Sequence, residues 1–230
     1  MIPIRDSLRS RTTPYVNIGI IATCVIVFVL QLADPERLMS WAFVPEKIIS
    51  PSAWLKYGVA GVLLPVFTAM FMHGGFLHLG FNMLFLWVFG DNVEDRMGHV
   101  GYLLFYLVCG ILATATHAVV TLFSPIPMIG ASGAIAGVLG AYFVLFKHAY
   151  VRAVVPIFIF VTLMDLPAVV FLGLWFVFQF LSWIGLWGGG DGVAFGAHVG
   201  GFVAGYLFAR KFAYRRGGPP RPRVINLHVE

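Results

Sequence analysis

Residues 97–146 read MGHVGYLLFYLVCGILATATHAVVTLFSPIPMIGASGAIAGVLGAYFVLF, a run of 50 residues without an Asp, Glu, Lys or Arg. A bilayer core takes about 20 predominantly apolar residues per helix, so this run holds two helices joined by the turn around Ser124, Pro125 and Pro127. Working outward, uncharged runs of 22 residues over 12–33 and 34 residues over 57–90 repeat the pattern. With 60% hydrophobic and 11% charged residues and a mean hydropathy of +0.89, a water-soluble globular core is excluded.

The expected fold class is an all-α polytopic membrane protein, a six-transmembrane-helix bundle with a structured loop between its first two helices. The six spans are placed over 16–33, 76–89, 101–122, 132–146, 167–184 and 194–208. The intervening 36–72 segment carries Trp41, Trp54 and Tyr57 and is interrupted by Pro45, Pro51 and Pro65. Such aromatic residues favour the headgroup level, so it reads as a loop lying at the interface or dipping partly into the protein. Spans two and four are short, and span four is rich in Gly and Ala, which suits the middle of a bundle. Asp91, Glu94, Asp95 and Arg96 read as a charged turn, either solvated or with Glu94 and Arg96 cross-linking backbone carbonyls at the base of the bundle. The β-branched and aromatic residues of 153–162 permit a strand or the foot of a longer helix. Gly188, Gly189, Gly190, Asp191 and Gly192 form a flexible loop. The chain divides into a cytoplasmic segment (1–15), a six-span domain (16–212) and a basic tail (213–230).

The net charge of +5 acts here as a topology marker, and nucleic acid is not an expected partner. With both termini inside, the cytoplasmic segments hold twelve Lys and Arg residues against Arg37, Lys47 and Lys56 outside, the bias expected of an inner-membrane protein so oriented. The terminal basic clusters anchor this topology first and contact anionic lipid second. The first apolar segment lacks a small-x-small cleavage site and reads as a retained span. Cys24 and Cys109 fall inside apolar segments and read as small buried hydrophobes.

Topology brings the few intramembrane polar residues to one depth. His78 and Asn82 start span two, Ser132 starts span four and His198 starts span six, and all three helices run from outside to inside. A serine and a histidine at one depth meet the minimum for nucleophilic catalysis, in which imidazole takes the hydroxyl proton and returns it to the leaving amine. Ser132 sits between Gly130 and Gly133 at a helix N-terminus, where free N–H groups can stabilise an oxyanion. The competing reading of Ser132 is a helix N-cap. His78 and Asn82, four apart on one face, can aim donors at the same oxyanion or simply hydrogen-bond a neighbouring helix. Gly201 and Gly205 give the His198 helix a face that another helix can approach closely. His73 reads as holding the loop before span two. Asp191 reads as solvating its loop, and His99, His117, His148 and His228 have structural or solvent readings. His73 and His78 are five apart, no His-Glu-x-x-His occurs and the cysteines are dispersed, so neither a metal site nor a cofactor is expected.

Four ordered motifs carry a resemblance: HGGFLHLGFN over 73–82, EDRMG over 94–98, GASG over 130–133 and AHVGG over 197–201, followed by Gly205. They resemble the rhomboid family of intramembrane serine proteases, especially its bacterial six-span members, and the likeness covers nearly all of 13–212. The resemblance implies a Ser132 nucleophile, a His198 base, and an oxyanion hole of His78, Asn82 and the Ser132 N–H. It further implies an outward-facing cavity, membrane-protein substrates, and gating by span five and the loop before His198. Glu94 and Arg96 match the family's structural turn. Ala136 departs from it: some members carry there a tyrosine packed on the histidine, so another group must orient His198. Two rival classes are a non-catalytic rhomboid-like chaperone, which need not keep Ser132 and His198 together, and a transporter, which needs polar groups continuing to the inner face.

Overall fold

Uncharged runs fold as helices because a helix satisfies its backbone N–H and C=O groups internally, where no water is available. The computed structural model describes residues 1–157, 160–187 and 193–213. The chain opens with strand β1 (Ile2–Asp6) and helix α1 (Tyr15–Ala33), then passes through four short helices, α2 (Pro35–Met39), α3 (Glu46–Ile49), α4 (Pro51–Leu63) and α5 (Pro65–Thr68). A 3-10 turn (Ala69–Phe71) leads into α6 (Phe76–Met97), α7 (His99–Val120) and α8 (Ser132–Leu145). Strands β2 (Tyr150–Ile157) and β3 (Phe160–Pro167) precede α9 (Ala168–Trp183) and α10 (Phe195–Phe212). Each of the six expected apolar segments coincides with one long helix. The loop 188–192 with Asp191, and the tail from 214 with Arg215, Arg216, Arg221, Arg223 and His228, lie outside the described residues.

These helices form a membrane-associated bundle, but few of them qualify singly as spans. Among the described residues only α1 and α7 are long and apolar enough, and the pair Pro51–Leu63 and Pro65–Phe71, bent by 44°, makes a third candidate as a broken span or re-entrant loop. That is two or three, where six were expected. The reasons are length and charge. At 1.5 Å per residue, α8 with 14 residues is about 21 Å long and α9 with 16 about 24 Å, short of a core of about 30 Å. Helix α6 ends on Asp91, Glu94, Asp95 and Arg96, and α10 ends on Arg210 and Lys211.

The 153–162 stretch, whose composition permits a strand or a helix foot, falls in the two strands β2 and β3, which pair antiparallel. Pairing runs from Tyr150 opposite Pro167 to Ile157 opposite Phe160, and Arg152 donates two 2.8 Å hydrogen bonds to Asp165 across it. Strand β1 pairs antiparallel with the other edge of β2, giving the bundle a small three-stranded sheet of order β1-β2-β3. Asp6, at the end of β1, is buried: its carboxylate accepts from the Tyr142 hydroxyl, from Asn92 Nδ2 at 3.0 Å and from the Leu8 N–H at 3.3 Å.

The expected charged turn is instead the last part of α6. Glu94 is fully buried there and accepts from the N–H groups of Val16 at 3.0 Å and Asn17 at 2.7 Å, at the start of α1. A carboxylate only accepts, so it caps free N–H groups and cannot cross-link carbonyls. Arg96 occupies the last turn of the same helix, where its charge suits the negative end of the dipole.

Helix α8 lies at the centre, with every residue from Gly133 to Tyr142 buried. Its small residues set how closely α10 approaches. A methyl group on Gly205 would lie 1.9 Å from the Gly137 carbonyl oxygen, and one on Gly201 would lie 2.0 Å from that of Gly133. Backbone packed on backbone fixes both the distance and the rotation of α10 against α8.

Candidate active site

Close contact of α8 and α10 brings their N-terminal ends together. Ser132 is the first residue of α8, directly after Ala131 at the cap position, and its side chain makes no capping bond. Its Oγ lies instead 2.8 Å from His198 Nε2 in the first turns of α10. The N-cap reading of Ser132 is thereby replaced by a contact between two helices 66 residues apart.

Gly130 precedes this pair with φ +134, a conformation that favours glycine. A methyl group at Gly130 would sit 2.9 Å from His78 Nε2 and 3.5 Å from Ser132 Oγ, so the absent side chain leaves room for both. His78 Nδ1 faces the Gly74 N–H at 3.3 Å and accepts from it, which leaves the ring proton on Nε2, the nitrogen turned toward Gly130. Asn82, one turn further along α6, is buried, and its Nδ2 has no hydrogen-bond partner among the described residues. A buried donor without an acceptor is costly, and one lining the same cavity as a candidate nucleophile can receive charge that develops there.

His73 is buried as well, and the loop is held at its backbone. The side-chain amide of Gln31 holds it by pairing with the His73 backbone: the His73 N–H donates to Gln31 Oε1 at 2.9 Å, and Gln31 Nε2 donates to the His73 carbonyl at 3.3 Å. The His73 ring packs edge-on against His78 with centroids 5.2 Å apart. Gly133 and Gly201 meet at the close crossing just below the site, and Gly205 meets Gly137 one turn deeper.

His198 has a second partner that the sequence reading passed over. Its Nδ1 lies 2.7 Å from Oε1 of Gln179, a buried residue of α9. Trp175, one turn earlier on α9, lies against the His198 ring at 6.0 Å and 33° between planes, and Phe195 meets it edge-on at 6.2 Å. Ala136 offers no ring at this place, and the described groups that meet His198 there come from α9 and from the start of α10. A glutamine inside an otherwise apolar helix was the available signal.

Ser132, His198, His78, Asn82, Gln179 and Trp175 all line one cavity of about 1040 Å³. His117, read as structural, lines it too. Its deeper wall is apolar, formed by Met70, Phe85, Ile135 and Leu139 among others. His99 instead lies at the far end of α6, its Nδ1 2.5 Å from the Glu94 carboxylate, and His148 is exposed. Among the described residues no group of three or more His, Cys, Asp and Glu is arranged to hold a metal ion. What remains is a hydroxyl, an imidazole in contact with it, and donors gathered around them in a pocket, which is the minimal apparatus for acyl transfer.

Known proteins carry similar sequences. The chain is 34% identical over 121 residues to rhomboid protease GluP of Bacillus subtilis, a match covering 51% of this chain and 22% of that protein. It is 26% identical over 208 residues to rhomboid protease GlpG of Serratia proteamaculans, covering 89% of this chain and 64% of that one. It is 30% identical over 155 residues to the mitochondrial Rhomboid protein 1 of Saccharomyces cerevisiae, covering 63% of this chain and 40% of the yeast protein. The chain therefore spans less than two thirds of the length of each of these relatives. The model of the rhomboid domain matches residues 60–215, which include all four motifs and every residue of the candidate site, and the chain belongs to the rhomboid family.

Proposed function

We propose that the protein is an intramembrane serine endopeptidase that hydrolyses a peptide bond in or near the transmembrane segments of membrane-protein substrates. The observation that carries this reading is the 2.8 Å contact of Ser132 Oγ with His198 Nε2 inside a cavity that His78 and Asn82 also line. Residues 16–212 act as a six-span protease domain with both termini cytoplasmic, its cavity opening to the outer face of the bacterial inner membrane. The two short helices α8 and α9 cross a locally thin or water-filled region.

In this mechanism a substrate helix enters from the side and unwinds near its outer end. Unwinding is required because helical carbonyls are already hydrogen-bonded and sterically covered, so weak helix formers near the cleavage site favour reaction. His198 Nε2 takes the Ser132 proton as Oγ bonds to the peptide carbonyl carbon. The oxygen of the tetrahedral intermediate accepts from His78 Nε2–H, Asn82 Nδ2–H and the Ser132 backbone N–H. Return of the proton to the leaving amine breaks the C–N bond, and water from the cavity then hydrolyses the acyl-enzyme with His198 again as base.

Ser132→Ala, purified and reconstituted in lipid, is expected to fold and to lose cleavage of single-span substrates completely. A fluorophosphonate probe is expected to label Ser132 in the wild type and not in His198→Ala, an outcome neither a chaperone nor a transporter produces. Cleavage retained in Ser132→Ala overturns the assignment.

A further inference from the structure

A general base must present a lone pair to the hydroxyl it deprotonates. In neutral imidazole one nitrogen carries the proton and the other the lone pair. If the proton sits on Nε2, His198 points a hydrogen at Ser132 Oγ and the serine has nothing to donate to. If it sits on Nδ1, the Nε2 lone pair faces the hydroxyl and the pair is competent. The two tautomers lie close in energy in water, so a neighbour that accepts only from Nδ1–H decides between them.

Gln179 Oε1 is such an acceptor, 2.7 Å from Nδ1. An amide oxygen has lone pairs and no proton, so it stabilises the Nδ1–H tautomer and no other. The bond is shielded, since Gln179 is buried. Gln179 also belongs to a ridge on α9 in which residues four apart grip the start of α10. Trp175 covers the His198 ring at 6.0 Å, and Trp183 lies 3.0 Å from where a methyl group on Gly196 would stand. The ring is therefore held in plane by Trp175 and in tautomer by Gln179.

We propose that Gln179 is the positioning residue of the active site, completing a Ser132–His198–Gln179 relay in which an amide stands where soluble serine hydrolases carry a carboxylate. The proposal rests on the roles given to Ser132 and His198 above. As the Ser132 proton moves to Nε2, the ring becomes an imidazolium and Nδ1–H···Oε1 becomes a charge-assisted bond, stronger than in the ground state. The gain thus falls on the transition state, and it should appear in kcat and not in KM. A neutral amide achieves this without burying an anion in the membrane, which would be far more costly than burying a hydrogen-bonded amide.

Two substitutions test it in lipid-reconstituted protein with a single-span substrate. Gln179→Met keeps length and removes the acceptor. Its kcat should fall at least about 10- to 100-fold with KM unchanged, by analogy with the loss on removing the partner that orients a metal-bound histidine. Gln179→Glu accepts from Nδ1–H through its ionised carboxylate, so it should recover most of that loss at pH values where the carboxyl is ionised. Its carboxylate also favours the imidazolium, so the acid limb of its pH–rate profile should move to higher pH. A wild-type kcat in Gln179→Met overturns the proposal, as does a loss that Gln179→Glu does not recover. Should Gln179→Met fail to fold, as read from its Tm, the Glu variant decides alone, and an acid limb at the wild-type position overturns the role. Ser132→Ala in the same assay separates the two layers. An inactive Ser132→Ala beside a fully active Gln179→Met removes only Gln179, whereas an active Ser132→Ala removes the relay together with its nucleophile.

Discussion

Asn82 concentrates the residue-scale question, because its buried Nδ2 has no hydrogen-bond partner among the described residues, and an unpaired buried donor costs about 1–3 kcal/mol. An oxyanion formed on Ser132 would supply the missing acceptor. Asn82→Ala is accordingly expected to lower kcat by about 10²–10³-fold while leaving KM and Tm close to those of the wild type. The measurement is steady-state cleavage in lipid beside a thermal melt, and a variant with unchanged kcat would show that Asn82 serves the helix interface instead. His78 differs in that its Nδ1 is already engaged by the Gly74 N–H, so its ring is oriented before any substrate arrives. Ser132, His198, His78 and Asn82 were legible in the sequence because each is a polar group in an apolar run at one depth. Gln179, four residues before the end of α9, met the same description and was missed, because only the approach of α9 to α10 puts it against the histidine. The role of Glu94 was half legible: the motif marked it, but its partners, the N–H groups of Val16 and Asn17, are backbone atoms no motif encodes.

Elements are held at two levels, one in the packing of α8 on α10 and one in the sheet at the opposite end. Adding a methyl group at Gly205 drives it to 1.9 Å from a carbonyl oxygen that cannot rotate away. Gly205→Ala is expected to destabilise the protein by about 1–3 kcal/mol, read as a lower Tm, and to lower activity by separating Ser132 from His198. A Tm at or above that of the wild type would contradict the close crossing. At the sheet, burial pushes the Asp6 carboxyl up from 3.8 to about 7, opposed in part by its hydrogen bond from Tyr142 and reinforced by nearby Asp91. Between those values the folded chain holds a proton that the unfolded chain has released. Docking of β1 is therefore most stable below about pH 4 and loses this contribution as the pH rises toward 7. Protection factors for the Ile2–Asp6 amides should fall across that window, and Asp6→Asn should flatten the dependence. Neither the strand nor its pH response was legible, since five residues of mixed polarity carry no periodic signal and their pairing partner lies about 150 residues away.

For the whole molecule, the six-span proposal makes a prediction that the length of single helices cannot. Both natural cysteines are buried at 0% exposure, so added cysteines report on a quiet background. A cysteine at Ser52, exposed in α4, should react with an impermeant maleimide on intact cells, and one at His148, exposed between α8 and β2, only after permeabilisation. The reverse pattern, or labelling of both from one side, would refute the topology. The positions of all six long helices were legible because hydropathy is a local property: a run without charges must satisfy its backbone internally wherever it lies. Their standing as spans was not, because α8 and α9 are shorter than the bilayer core and α6 and α10 carry charge at their ends. By itself, then, the sequence determined a membrane-associated helical bundle, the helices that compose it and four residues of the candidate site. Tertiary structure alone decided that β1 closes the sheet, that Glu94 caps α1, and that α9 supplies the partner of His198. Hydropathy and motif are written along the chain, whereas the hydrogen bonds that orient an imidazole depend on which helices are close enough to touch.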